Sequence, residues 1–414
     1  MTLHDRLVVL QRRGRLPSVV GGVVRDGVLV ETAGVATDPE VAFRIGSITK
    51  TLTAVLVMQL RDEGRLGLDD PLARHLPGVG YGDLTLAGLL GHTGGMQSEP
   101  CGPWWERTDG GDFATLAAAN DGSGAVAGPG EWFHYSNLGY GLLGEVVARL
   151  REAPWWDVVR TRLLEPLDLT RTTYGPVAPH AQGHSVEHLT GRLADEPHTD
   201  TGAMAPAGQA WSTVADLAVW AGVLAGRRPD VLAPATAEEM RRPRLDPGYG
   251  FGLRLVEAGG RRLAGHTGSM PGFLASLFTD PATGDAVIVL ANATTGLDTD
   301  GAAAALLEGP EPAGSTAPWT PSTDVPDAVA PLLGFWFWGH TALELRWSEG
   351  RLEVRRLQDA GFAHAFELRA DGAIVGVEGY HRGETLHVHP THLECATFVY
   401  TRTPYDPAAP IPGA

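Results

Sequence analysis

Lys50 is the only lysine among the 32 basic side chains of this 414-residue sequence; all the others are arginine. A chain that uses arginine wherever a fixed positive charge will do, and lysine once, marks a position where arginine would not serve. Buried, an amine can lose its proton near neutral pH, and a guanidinium cannot. Ser47 stands three residues earlier, in Ser47-Ile48-Thr49-Lys50. On a helix, positions i and i+3 share a face, so hydroxyl and amine can meet. A neutral amine within hydrogen-bond reach takes the hydroxyl proton as the oxygen attacks a carbonyl. A helix start also turns backbone N–H groups and a positive dipole end toward a developing oxyanion. The bland alternative makes Ser47 a helix cap and Lys50 a solvated charge. The apolar run that follows, TLTAVLVMQL, argues against it.

Two further motifs supply what such a pair lacks. Tyr135-Ser136-Asn137 follows the loop Gly128-Pro129-Gly130 and opens an apolar helix, NLGYGLLGEVVARL. A phenol there can relay protons between serine, lysine and a leaving group, and the Asn137 amide can hold a substrate amide or the lysine. His266-Thr267-Gly268-Ser269 is expected between two strands, where its glycines let a substrate approach the backbone closely. The N–H of Ser269 can complete an oxyanion hole with that of Ser47. A second His-Thr-Gly, at His92–Gly94, follows a short helix and reads as an ordering loop. The stretch Cys101-Gly102-Pro103-Trp104-Trp105 is expected to overhang the site, with Trp104 and Trp105 as a pocket wall.

These residues need elements to hold them. Residues 18–34 read as a β-hairpin turning at Arg25-Asp26-Gly27. A helix is predicted from Ser47 to Glu63, apolar on nearly every side and stopped by Gly64. Helices are predicted near 84–91, 136–150, 155–165, 212–226 and 235–241, and strands at 250–258, 274–280 and 286–292. Strands at both ends with helices between suggest one sheet built from both ends and a helical insertion at about 65–245. This defines a first domain, 1–308. Residues 309–331, rich in proline, read as a linker. Residues 332–414 read as a small antiparallel β-barrel or meander, from short alternating strands such as TALELRW, RLEVRRL and ETLHVH. Its opening cluster Phe335-Trp336-Phe337-Trp338 reads as that domain's core or its interface with the first domain.

Taken together, FRIGSITKTLTA, Tyr-Ser-Asn, LLGHTGGM and GHTGSMPGF resemble the penicillin-recognising serine hydrolases. That group includes class C β-lactamases, D,D-peptidases, D-aminopeptidases and family VIII-type esterases. The resemblance spans about residues 15–300. It implies an α/β (α+β) β-lactamase-like fold: an antiparallel sheet flanked by helices, with a helical subdomain. It also implies acyl transfer to water without metal or organic cofactor. Ser47 is then the acylated nucleophile, Lys50 the general base, and Tyr135 a proton relay serving deacylation. Asn137, His266, Thr267, Gly268 and Ser269 are implied on the substrate and oxyanion side, and Ala207–Thr213 as a supporting stretch. His266 stands where relatives carry a lysine. A mostly neutral imidazole attracts a carboxylate less, which argues against an efficient β-lactamase. Cleavage of a D-residue amide or peptide is the preferred reading. A carboxylesterase, a thioesterase or peptide cyclase, and a non-catalytic binding protein are the alternatives.

Composition narrows the partners. A formal charge of −17 argues against nucleic acid, and no apolar run is long enough for a transmembrane helix. A small-molecule or peptide substrate is expected, and nothing assigns an oligomeric state. Cys101 and Cys395, the only cysteines, suggest reduced thiols. The stretch MTLHDRLVVLQRRGRLP lacks an apolar core and cleavage site, so a cytoplasmic location is expected, a leader already removed being the other reading. His180, His184 and His188, and likewise His387, His389 and His392, read as packed or solvated rather than metal-binding.

Overall fold

A computed structural model describes residues 1–308, 317–358, 362–406 and 409–410. It divides into two units, Met1–Ser185 with Asp195–Pro318, and Val186–Ala194 with Trp319–Ala414. The second unit therefore starts before residue 332, inside the stretch read as linker, and takes in the tip of a hairpin from residues 184–195. Residues 309–316 of that stretch lie outside the described residues.

The first unit is built on a six-stranded antiparallel sheet. Its strands are β1 (Val19–Arg25), β2 (Val28–Val35), β3 (Arg254–Ala258), β4 (Arg261–Met270), β5 (Phe273–Thr279) and β6 (Ala286–Ala291). They lie in the order β2-β1-β6-β5-β4-β3, so the two chain ends of the unit meet at β1 and β6. The hairpin closes where expected, with Asp26 and Gly27 both at positive φ, the geometry of a tight primed turn. β1 is buried along almost its whole length because helices cover both faces of the sheet. Val19 and Val23 join one core with helix α1 (Leu3–Gly14), while Val20 and Val24 join the other. That alternation follows from the two-residue period of a strand.

Helix α1 was not anticipated in the sequence. Thr2 and Asp5 cap it reciprocally, a short polar signal easily overlooked beside a basic amino-terminal stretch. Helix α2 (Thr49–Asp62) follows one 3₁₀ turn, Gly46–Ile48, and is buried on every side from Thr49 to Leu60. Among the other helices of this unit is α3 (Asn137–Arg151).

One expectation is corrected. His266–Ser269 does not lie between strands; it is part of β4, paired along its length with β5. Gly265 and Gly268 weaken the strand pattern in the sequence, yet both are required. A Cβ on Gly265 would lie 1.9 Å from the Leu277 carbonyl oxygen, and one on Gly268 would lie 2.0 Å from that of Ile45.

The second unit is a closed antiparallel barrel of eight strands: β7 (Gly334–Trp338), β8 (Thr341–Ser348), β9 (Arg351–Arg356), β10 (Phe362–Leu368), β11 (Ile374–Gly379), β12 (Thr385–Val388), β13 (His392–Cys395) and β14 (Phe398–Thr401). Trp336 points into its core and donates to the Leu332 carbonyl, whereas Phe335 and Trp338 face outward. No helix among the described residues is long and apolar enough to cross a membrane.

Candidate active site

Lys50 is fully buried on the first turn of α2. Its Nζ lies 2.9 Å from Ser47 Oγ, 2.6 Å from Asn137 Oδ1 and 2.7 Å from the Ala207 carbonyl oxygen. Asn137 Oδ1 and the carbonyl can only accept hydrogen bonds. A neutral amine has two N–H bonds for these two acceptors, and its lone pair then faces the Ser47 hydroxyl. Burial pulls the Lys50 pKa down to about 7, against the opposing pull of Glu99 and then Glu106. The neutral form is therefore accessible at physiological pH.

The Asn137 amide is oriented by Glu99, whose Oε1 accepts from Asn137 Nδ2 at 2.7 Å. Glu99 Oε2 accepts from Trp105 Nε1 at 2.6 Å. Trp105 is thus a buried support for Glu99 rather than an open pocket wall. Trp104 is 57% exposed, packs 4.3 Å from the Arg107 guanidinium and donates to Glu106. The loop uses the N–H groups of both indoles to hold two carboxylates. Burial raises the Glu106 pKa, with the neighbouring Glu99 adding to the effect against the Trp104 hydrogen bond.

Tyr135 precedes α3, and its ring centroid lies 5.0 Å from Lys50 Nζ. Burial holds its pKa well above the ordinary tyrosine value, so the phenol is protonated at rest. The Tyr135 ring lies 4.2 Å, centroid to centroid, from His92. Ser136 caps α3 through its side chain, while its backbone N–H donates to His92 Nδ1 at 3.1 Å. The first His-Thr-Gly thus orders the Tyr135 segment.

The second His-Thr-Gly lies on β4. The His266 ring is 1% exposed. Its Nδ1 donates to the Thr267 carbonyl at 2.5 Å, and its Nε2 lies 3.1 Å from the Tyr249 hydroxyl. Burial and the Lys50 charge pull its pKa down to about 3, so the ring is neutral. Arg254 on β3 donates to Thr267 Oγ1 at 3.0 Å and pairs with Asp300. Ser269 is exposed on β4. Gly46, at φ +52°, abuts it so closely that a Cβ there would lie 2.6 Å from the Ser269 nitrogen. The turn carrying Ser47 and the strand carrying Ser269 are thus in backbone contact.

Glu99, Tyr249, Arg254 and the Ala207 carbonyl were missed in the sequence. Only Ala207 lay in a stretch singled out there, and it acts through a carbonyl that any residue would supply.

A serine bonded to a buried lysine, a protonated tyrosine beside that lysine, and a glycine-bearing strand in backbone contact with the serine's turn define the class: a serine hydrolase of the penicillin-recognising type. Residues 4–309 match the family model described as Beta-lactamase, and the chain belongs to that family. Residues 325–402 match a domain of unknown function, DUF7586. Penicillin-binding protein 4 of Amycolatopsis lactamdurans is 30% identical over 325 residues, covering 70% of this chain and 84% of that protein. A D-stereospecific amidohydrolase from Streptomyces sp. is 27% identical with a TM-score of 0.62, over 71% of this chain and 96% of its own. The octameric penicillin-binding protein homologue from Pyrococcus abyssi shares the fold over 95% of this chain and 98% of its own, at 23% identity and a TM-score of 0.67.

Proposed function

We propose that this beta-lactamase-family serine hydrolase cleaves small amides and short peptides of D-amino acids that carry a free amino group. The observation that carries the chemistry is the Ser47–Lys50 contact at 2.9 Å, with a lysine whose pKa lies at about 7. Neutral Lys50 takes the Ser47 proton as Oγ attacks the amide carbonyl. The amides of Ser47 and Ser269 receive the oxyanion. The Tyr135 hydroxyl, protonated at rest, passes its proton to the leaving nitrogen as the tetrahedral intermediate collapses to acyl-Ser47. In the second half-reaction water gives its proton to Tyr135 as it attacks the acyl-enzyme, and Lys50 returns its proton to Ser47 Oγ as the acid departs.

Substrate class follows from the charges around that serine. Glu99 is exposed and Glu106 is partly buried, and both act electrostatically on Lys50. Two carboxylates beside the nucleophile attract an ammonium group and repel an anionic acyl chain. Arg254, bonded to Thr267 on the sheet side, suits a leaving group that carries a carboxylate. The likeness to a D-stereospecific amidohydrolase from Streptomyces sp. supports the D configuration.

The test begins with intact-protein mass after exposure to a fluorophosphonate, which should add one adduct to the wild type and none to Ser47→Ala. D-alanine p-nitroanilide should then be cleaved with a kcat/KM at least about 10-fold above its N-acetyl derivative, the worth of one charge-assisted contact. Glu106→Gln should shrink that ratio at a pH where Lys50 is fully neutral. Equal rates for the two substrates, or a ratio untouched by the substitution, would remove the amine-recognition reading and leave esters and acyl thioesters as the substrates to try.

A further inference from the structure

Across the back of the cleft, three buried side chains form a line of hydrogen bonds that the proposed reaction does not use. His92 Nε2 lies 3.1 Å from the Tyr249 hydroxyl, and that hydroxyl lies 3.1 Å from His266 Nε2. The polarity of every link is set at the two ends. His266 Nδ1 faces the Thr267 carbonyl, which can only accept, so the proton of the neutral ring sits on Nδ1 and Nε2 is a bare acceptor. Tyr249 must therefore donate to it. At the other end the Ser136 backbone N–H points at His92 Nδ1, so that atom is bare and the His92 proton sits on Nε2. His92 then donates to the Tyr249 oxygen. Four consecutive bonds run one way: Ser136 N–H to His92, His92 to Tyr249, Tyr249 to His266, His266 to the Thr267 carbonyl.

The two ends belong to different walls of the site. Ser136 is the residue between Tyr135 and Asn137, on the helical side, and the His92 ring packs against Tyr135 at a tilt. His266 and Thr267 belong to β4, the strand that carries Ser269. We propose that Tyr249 and His92 are positioning residues, forming with His266 a one-way hydrogen-bonded tie that sets the distance between Tyr135 and the Ser269 strand. His266 in this scheme is an anchor for the wall and not a charge offered to substrate. Neutral at all three members, the tie adds no second cation beside Lys50. Misplacing a reacting group by about an ångström costs on the order of 100-fold in rate, which is the scale on which such a tie acts.

The inference rests on the proposed acylation of Ser47 only for its rate readout; the tie itself is tested without substrate. In the wild type, ¹⁵N-histidine spectra should show His92 as the Nε2–H tautomer and His266 as the Nδ1–H tautomer, both unchanged from pH 5 to 9. A His266 proton on Nε2, or a doubly protonated ring in that range, would overturn the tie. Tyr249→Phe should shift both Nε2 resonances. It should also slow the maximal rate of Ser47 fluorophosphonate labelling by about 10- to 100-fold, with the probe's half-saturating concentration and the pH midpoint unchanged. Labelling at the wild-type maximal rate would overturn the positioning role. His92→Gln keeps an N–H donor for Tyr249, and it should label faster than His92→Ala. Equal rates for those two would count against the tie even if Tyr249→Phe failed to fold. A wild type that takes no adduct would instead sink the reaction while leaving the tautomer result standing.

Discussion

Lys50→Arg will hold its positive charge and lose turnover by at least about 10³-fold, within the range that a general base contributes. A guanidinium keeps its proton at any pH the fold survives, so it can donate to Ser47 Oγ but never accept from it. The pocket adds a steric objection, since Lys50 is fully buried between Ser47, Asn137 and the Ala207 carbonyl. Lys50→Met, nearly matched in length, removes the base without the extra bulk and should be equally inactive. The same assignment fixes a pH profile. Below the Lys50 pKa of about 7 the amine is protonated and has no lone pair for the serine proton. kcat/KM should therefore fall as pH drops through about 7, ultimately tenfold per unit, and level off above it. The acid limb belongs to Lys50 and not to His266, whose ring stays neutral until about pH 3. Wild-type rates from the arginine variant, or an acid limb near pH 3, would show that another group takes the proton.

Gly46→Ala should be nearly as damaging although it touches no functional group. At φ +52° an alanine is strained by about 1–2 kcal/mol. The larger effect is positional. The added methyl would lie 2.6 Å from the Ser269 nitrogen and 3.0 Å from its carbonyl atoms. These are backbone atoms of a strand paired with β5 at Ser269 and Leu274, so they cannot swing away as a side chain would. Relief requires the Ser47 turn and β4 to separate, and their two amides then no longer converge on one oxygen. Losing one oxyanion donor costs about 10²–10³ in kcat, and the variant should show a loss of that size. Its Tm should drop by several degrees as well. A variant that labels with fluorophosphonate at the wild-type rate would mean that Ser269 takes no part in the hole.

How much of this could be read in advance depended on how local each signal was. Ser47, Lys50, Tyr135 and Asn137 were legible because the chemistry lies in residue types at short spacing, and an all-arginine background made the one lysine conspicuous. Glu99 was not, because it sits in an irregular loop and acts by orienting an amide held from another element. Tyr249 was hidden for a similar reason: its part requires two histidines far apart in the chain to meet at one hydroxyl. β4 escaped notice because its glycines answer to backbone neighbours at Leu277 and Ile45, contacts that no strand pattern encodes. In the barrel, the aromatic run at Phe335–Trp338 was visible as a cluster but not as β7, since its inward and outward positions are all large and apolar. β13 (His392–Cys395) was passed over because it is only four residues long.

The solitary lysine also has a consequence for proteolysis. An endoprotease that cuts only after lysine has one bond to attack in this sequence, between Lys50 and Thr51. Both residues are fully buried inside a helix that is itself enclosed. Cleavage at that bond requires the helix to leave its packing, so the cutting rate at low protease measures the population of molecules in which the catalytic helix has come undone. Fraying at the surface and loosening of the barrel would leave no trace. The residue that makes the site reactive thus doubles as a built-in gauge of its local stability.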